Sequence, residues 1–120
     1  MMRYDTNIEK LLWASMEDYC GLWELVWEIN TLHPNNSPRE SQHITLHCIL
    51  DLLSRDLVQL YHCQEPYGRM TMIRRDNYFR YLQDHKVWEP PPPKAHSVRV
   101  SATEAGEKYY HAMMNIKRSH

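Results

Sequence analysis

The stretch Ser37 to Cys63, SPRESQHITLHCILDLLSRDLVQLYHC, constrains this chain more than any other, because it predicts a long helix that runs almost without a loop into a strand. Ser37 can cap the helix with its hydroxyl and Pro38 suits the first helical position. Glu40 stands where its carboxylate reaches back to a free backbone N–H. Leu46, Ile49, Leu50 and Leu53 then fall on one helical stripe, widened by Ile44, Cys48 and Leu52, so the helix is expected to be largely buried. His43, His47, Asp51 and Arg55 form the row left for solvent. After Asp56 the pattern changes to alternation, with Leu57, Gln59 and Tyr61 against Val58, Leu60 and His62, as a strand requires.

The segments on either side are expected to pack around this unit. Thr6 with Glu9 reads as a capping box opening a first helix, whose stripe of Ile8, Leu11, Leu12, Ser15, Met16 and Tyr19 carries it to about Asp18. Cys20-Gly21 predicts a break or short extended link, with an unbroken helix to Asn30 as the alternative. Leu22, Val26 and Ile29 with Trp23, Trp27 and Asn30 define a second helix ending before His33-Pro34, and Asn35 to Ser37 form the turn. Trp13, Trp23 and Trp27 are expected inside.

Beyond the strand, Glu65-Pro66-Tyr67-Gly68 reads as a tight turn and Met70 to Ile73 as a short returning strand. Asp76 is the expected cap of a short helix through Asp84 that buries Tyr78, Phe79 and Leu82. Pro90 to Pro93 should run as an exposed polyproline II segment. Val98 and Val100 alternate with Ser97, Arg99 and Ser101 as a further strand. Thr103 caps a last helix with Ala105, Tyr109, Ala112 and Met113 inward, and the tail from Lys117 to His120 is expected to fray.

With 120 residues, 42% hydrophobic and 24% charged, the chain fits one soluble α+β domain. No apolar run is long enough for a membrane span, and MMRYDTNIEK lacks the layout of a secretion signal, so the expected location is cytoplasmic. The cysteines Cys20, Cys48 and Cys63 match no disulfide or zinc spacing and are read as reduced core residues. Charge is uneven: residues 1–60 carry four basic and nine acidic side chains, a balance of −5, and residues 61–120 carry ten basic and six acidic, a balance of +4.

Two places carry a family resemblance. Leu52-Leu53-Ser54-Arg55-Asp56-Leu57-Val58-Gln59-Leu60-Tyr61 is similar to the way a recognition helix ends and feeds the first wing strand in winged helix-turn-helix domains. Val98-Arg99-Val100-Ser101-Ala102-Thr103-Glu104-Ala105-Gly106 resembles the strand after the wing and the Thr-capped closing helix. The likeness spans roughly Tyr19 to Tyr110. It also resembles small, uncharacterised bacterial proteins that share the Leu22-Trp23-Glu24 helix, an inserted helix in the wing and the Trp88-Glu89-Pro90 ending. It implies a three-helix core with a small antiparallel sheet and a C-terminal helix. The sequence departs from DNA-binding members at Asp56, where Gly often stands, and at Glu40 and Asp51, where basic residues often line the helix.

Enzymatic chemistry finds no support in the pattern. His43 and His47 have a spacing that zinc sites use, but the glutamate of the hydrolytic motif is missing and no third ligand follows nearby, so they read as surface imidazoles. Cys48 and Cys63 lie in apolar patterns, and Gly21, Gly68 and Gly106 are isolated, leaving no phosphate loop. Neither a metal nor a cofactor is implied.

Two functions remain. A protein-binding role uses the acidic Glu17, Asp18, Glu24 and Glu28 with the abundant aromatics to take a basic protein partner such as a toxin, in the manner of an immunity protein or antitoxin. The alternative is a DNA-binding regulator, with Arg39, Gln42, His43 and His47 in the major groove and Arg74, Arg75 and Arg80 of the wing on phosphates. The near-neutral total charge offers little phosphate affinity unless a homodimer concentrates the arginines.

Overall fold

The computed structural model describes residues 5–65 and 68–118. The expected turn residues Pro66 and Tyr67, the first four residues and the last two lie outside that range. Across the described residues the fold is α+β, with five α-helices and a four-stranded antiparallel sheet. In chain order these are α1 (Thr6–Glu17), β1 (Cys20–Gly21), α2 (Leu22–Leu32), α3 (Pro38–Ser54), β2 (Val58–Gln64), β3 (Thr71–Met72), α4 (Tyr78–Leu82), β4 (His96–Ala102) and α5 (Glu104–Arg118). Short 3-10 turns, Arg75–Asn77 and His85–Trp88, flank α4. The sheet order is β1-β4-β2-β3.

The start of α3 follows its local chemistry. The Ser37 hydroxyl accepts the Glu40 N–H at 3.2 Å, and the Glu40 carboxylate accepts the Ser37 N–H at 3.0 Å. That reciprocal bond holds the Glu40 carboxyl below its ordinary value. At the other end Asp56 takes φ 56°, a left-handed turn that costs most L-residues energy and that Asp tolerates better than most. The chain then reverses direction into β2.

The closing helix docks on this junction. The Thr103 hydroxyl donates to the Asp56 carbonyl at 2.7 Å and accepts the Gly106 N–H at 3.0 Å. A Cβ on Gly106 would stand 1.9 Å from the Leu57 carbonyl oxygen, so the Thr-x-x-Gly motif is a close backbone approach. The sheet is held by the long β2/β4 pairing, with Leu60 opposite Val100 and His62 opposite Val98. Val58, Leu60, Val98 and Val100 face the helices and join Leu11, Leu12, Leu22, Leu25, Ile29, Ile49 and Leu52 in one hydrophobic core.

Several expectations are corrected. Asp5, not Thr6, caps α1, because its carboxylate accepts the N–H of Asn7 at 2.9 Å and of Ile8 at 3.2 Å. The buried stripe of α3 runs through Ser41, Thr45, Ile49, Leu52 and Leu53, while Leu46 and Leu50 are only half-buried. The two small polar residues are satisfied inside: Ser41 donates to Asn30 at 2.8 Å and Thr45 to the Ser41 carbonyl at 2.7 Å, which lets α2 approach closely.

Tyr19, Trp13 and Trp27 are exposed, the two tryptophans by 42% and 56%, since no element covers the outer faces of α1 and α2. Phe79 is 64% exposed, because α4 is one short turn that anchors through Leu82 and Tyr78. Asp76 lies inside the first 3-10 turn instead of capping α4, which ends at Leu82, and Asp84 caps the second 3-10 turn by accepting the Lys86 N–H at 3.0 Å. Ala105 points outward and Gly106 takes the inward position. The helix α5 continues through Lys117 to Arg118 instead of fraying at Lys117.

Candidate functional site

Glu17, Asp18, Glu24 and Glu28, singled out by type alone, line a single cleft of ≈ 270 Å³ with Trp13, Tyr19, Cys20 and Arg99. Helix α1 ends at Glu17 and Asp18 turns extended, which delivers both carboxylates to the cleft rim. One turn into α2, Glu24 caps its own helix by accepting the Gly21 N–H at 3.1 Å, and Glu28 follows at the next turn on the same face. Gly21 allows this tight entry, because any Cβ there would lie 2.4 Å from the buried Trp23 ring.

Arg99 forms the floor, reaching from β4 across β1. Its guanidinium donates to the Glu65 carboxylate at 2.9 and 2.5 Å, to the Tyr19 carbonyl at 3.0 Å and to Glu24 at 3.5 Å, and lies 5.1 Å from the Trp23 ring centre. Burial pushes the Glu65 carboxyl up, but the Ser97 hydroxyl and the Arg99 guanidinium outweigh it and hold that carboxyl below its usual value. Lys10 reaches Glu28 at 3.2 Å and lies over Trp13. Glu17 and Asp18 have no ion-pair partner among the described residues. The excess negative charge is visible at Cys20, whose thiol is pushed up to about 12, first by burial and then by Glu24 and Glu28.

The DNA set is not gathered in the same way. Arg39, Gln42, His43 and His47 do line the exposed side of α3. The two imidazoles are spent on each other, with ring nitrogens 3.1 Å apart. Arg74 pairs with Asp76 at 3.9 Å and Arg75 with Asp56 at 3.1 Å, while Arg80 is exposed on α4. Asp56 lies just beyond α3's last turn and Arg39 in its first, so Arg75 and Arg39 flank opposite ends of a helix roughly 25 Å long.

Cys20, Cys48 and Cys63 are all free thiols; Cys63 is buried, and burial first, then Asp5 and Asp51, pushes the Cys48 thiol up to about 11. Among the described residues no three His, Cys, Asp or Glu side chains stand close enough to share a metal ion. Among the described residues no helix is long and apolar enough to cross a membrane.

Sequence reasoning missed Arg99, although a charged residue between Val98 and Val100 in an alternating strand signals a partner on the outer face. It also missed an apolar groove of ≈ 280 Å³ between α3 and α4, where Leu46, Leu50 and Phe79 line the walls. No family model matches the chain, and comparison with curated proteins and with solved structures returned no match.

Proposed function

We propose that this chain is a non-catalytic binding module that takes a basic protein, in the way an immunity protein or antitoxin neutralises a cationic toxin. The observation that carries the reading is the cleft: four carboxylates converge on it, two without a compensating cation among the described residues, between exposed Trp13 and Tyr19. Unpaired carboxylates steer an arginine or lysine of a partner, and flanking aromatic rings supply rigid apolar area around the buried contact. The scaffold reading is winged-helix-like. In its support, three helices precede a β2/β4 hairpin that carries an insertion between its strands, and the short β1 sits on the outer edge of β4.

The DNA-regulator reading keeps one supporting observation, the open row of Arg39, Gln42, His43 and His47 on α3. Binding to random duplex DNA at two salt concentrations separates the two, beside binding to a panel of basic secreted nuclease domains. The expected result is no salt-steep duplex binding, and binding to a basic domain that weakens about tenfold at low ionic strength when Glu17→Lys and Asp18→Lys are combined. Duplex affinity that falls steeply with salt and is weakened by Arg39→Ala would replace the protein-partner reading with the regulator.

A further inference from the structure

The sheet's helix-facing side changes character along β2 and β4. Cross-strand partners share a face, so Val58, Leu60, Val98 and Val100 continue into His62 and toward His96. There the two imidazoles stack, with centres 4.6 Å apart and planes 19° from parallel, and Tyr81 of α4 leans on His62 at 5.8 Å. Opposite them, the segment after the second 3-10 turn brings Pro90, Pro91 and Pro92 over the end of the sheet. Between these flat walls lies a cavity of ≈ 530 Å³. That volume is within the range of about 300–1,000 Å³ in which small-molecule sites fall.

The polar groups around it are short of partners. Among the described residues neither the imidazoles, the Tyr81 hydroxyl nor the Lys86 ammonium makes a hydrogen bond or ion pair with protein. These are mainly donors. The facing acids are Asp84, whose carboxylate is engaged in capping Lys86, and Glu89 at the mouth. We propose that this cavity binds a small planar aromatic acid, its ring slotted between the stacked imidazoles and the prolines and its carboxylate set against Lys86 and the imidazole N–H groups.

A proton accompanies the ligand. With both imidazoles neutral, Lys86 against Asp84 and Glu89 leaves the lining at −1; with both protonated it is +1. Burial, then the neighbouring His96, holds His62 below the ordinary histidine value, so the surroundings of His62 favour its neutral form. An entering carboxylate reverses that preference, and affinity therefore rises as pH falls.

The test is an NMR titration of the full chain with naphthalene-2-carboxylate, naphthalene-2-amidine and cyclohexanecarboxylate, at about pH 6 and about pH 8. The aromatic acid is expected to give saturable shifts confined to residues 62, 81–92 and 95–98, with affinity about tenfold higher at the lower pH for one proton taken up. Lys86→Gln and His96→Gln, both at exposed positions, should each weaken it at least about fivefold without changing the folded spectrum elsewhere. Equal binding of the amidine, pH-independent affinity, equal binding of the non-aromatic acid, or shifts centred on the acidic cleft would each overturn the proposal.

Discussion

The acidic cleft and the β3–α4 segment differ in sequence by the sign of their charge, and in the fold by how much of that charge is already answered. Before α4, Arg74 and Arg75 are held by Asp76 and Asp56, both exposed pairs. In the cleft, Glu24 and Glu28 are answered by Arg99 and Lys10, whereas among the described residues Glu17 and Asp18 are not. Among the described residues three pairs cross between the acidic and basic halves of the chain: Arg99 with Glu24, Arg75 with Asp56 and Lys117 with Glu9. The linear split of −5 and +4 is therefore partly closed by folding, and a charge count by segment overstates the contrast between the two surfaces. What distinguishes them is burial: the cleft's central cation is largely sequestered and those of the β3–α4 segment are not.

The largest effect is expected from removing that central cation. Arg99 and Glu65 expose 17% and 12% of their side chains, so Arg99→Gln leaves a nearly buried carboxylate unpaired and should lower unfolding stability in urea by about 3 kcal/mol. The same pair sets an acid limit. Glu65 is held below its ordinary value in the folded state, so its contribution is fully present above that value and is lost as pH falls through the depressed one. In the Arg99→Gln protein the slope of stability against pH over that acid range should flatten. An unchanged slope would mean the pair is not what distinguishes the cleft.

Charge reversal at the rim should separate binding from stability. Glu17 and Asp18 are exposed and pair with no cation among the described residues, so Glu17→Lys with Asp18→Lys should leave the unfolding free energy in urea within about 0.5 kcal/mol of the parent. Association with a basic partner should slow about tenfold at low ionic strength and recover partly in salt. The same reversal at Asp76, in the 3-10 turn before α4, should leave that rate unaltered. Equal slowing from both sites would show that net charge, not the cleft, steers the partner.

How much of this was legible in sequence depended on range. The start of α3 was readable because Ser37, Pro38 and Glu40 settle it within one turn, whereas Gly21 only favoured a break: glycine weakens a helix by about 1 kcal/mol, and Gly106 sits inside α5. The acid residues of the cleft were visible by type. Their convergence was not, since the groups that join them, Tyr19 and Arg99, lie 80 residues apart and meet through strand pairing. Trp13, Trp27 and Phe79 were misplaced for a related reason: helical periodicity shows that an apolar stripe exists, but not whether another element arrives to cover it. Thr103 and Gly106 were legible as a motif, while the need for glycine rests on the Leu57 carbonyl, far away in the chain.

The smallest expected effect tests the other side of the comparison. Arg75 and Asp56 expose 61% and 75% of their side chains, so solvent screens the pair and Arg75→Ala should cost no more than about 0.5 kcal/mol. Asp56→Gly loses the same pair but relieves a left-handed residue, worth at most about 1 kcal/mol, so it should be neutral or slightly stabilising. The two substitutions combined should add, because a pair that solvent screens this strongly has almost no coupling energy for the double variant to reveal. If instead Arg75→Ala proves costly in the parent and free in the Asp56→Gly background, the pair is a structural lock between the α3–β2 junction and the β3–α4 segment. The charge of that segment would then be tied up in its partner as fully as that of Arg99, and the contrast between the two regions would rest on Glu17 and Asp18, which pair with no cation among the described residues.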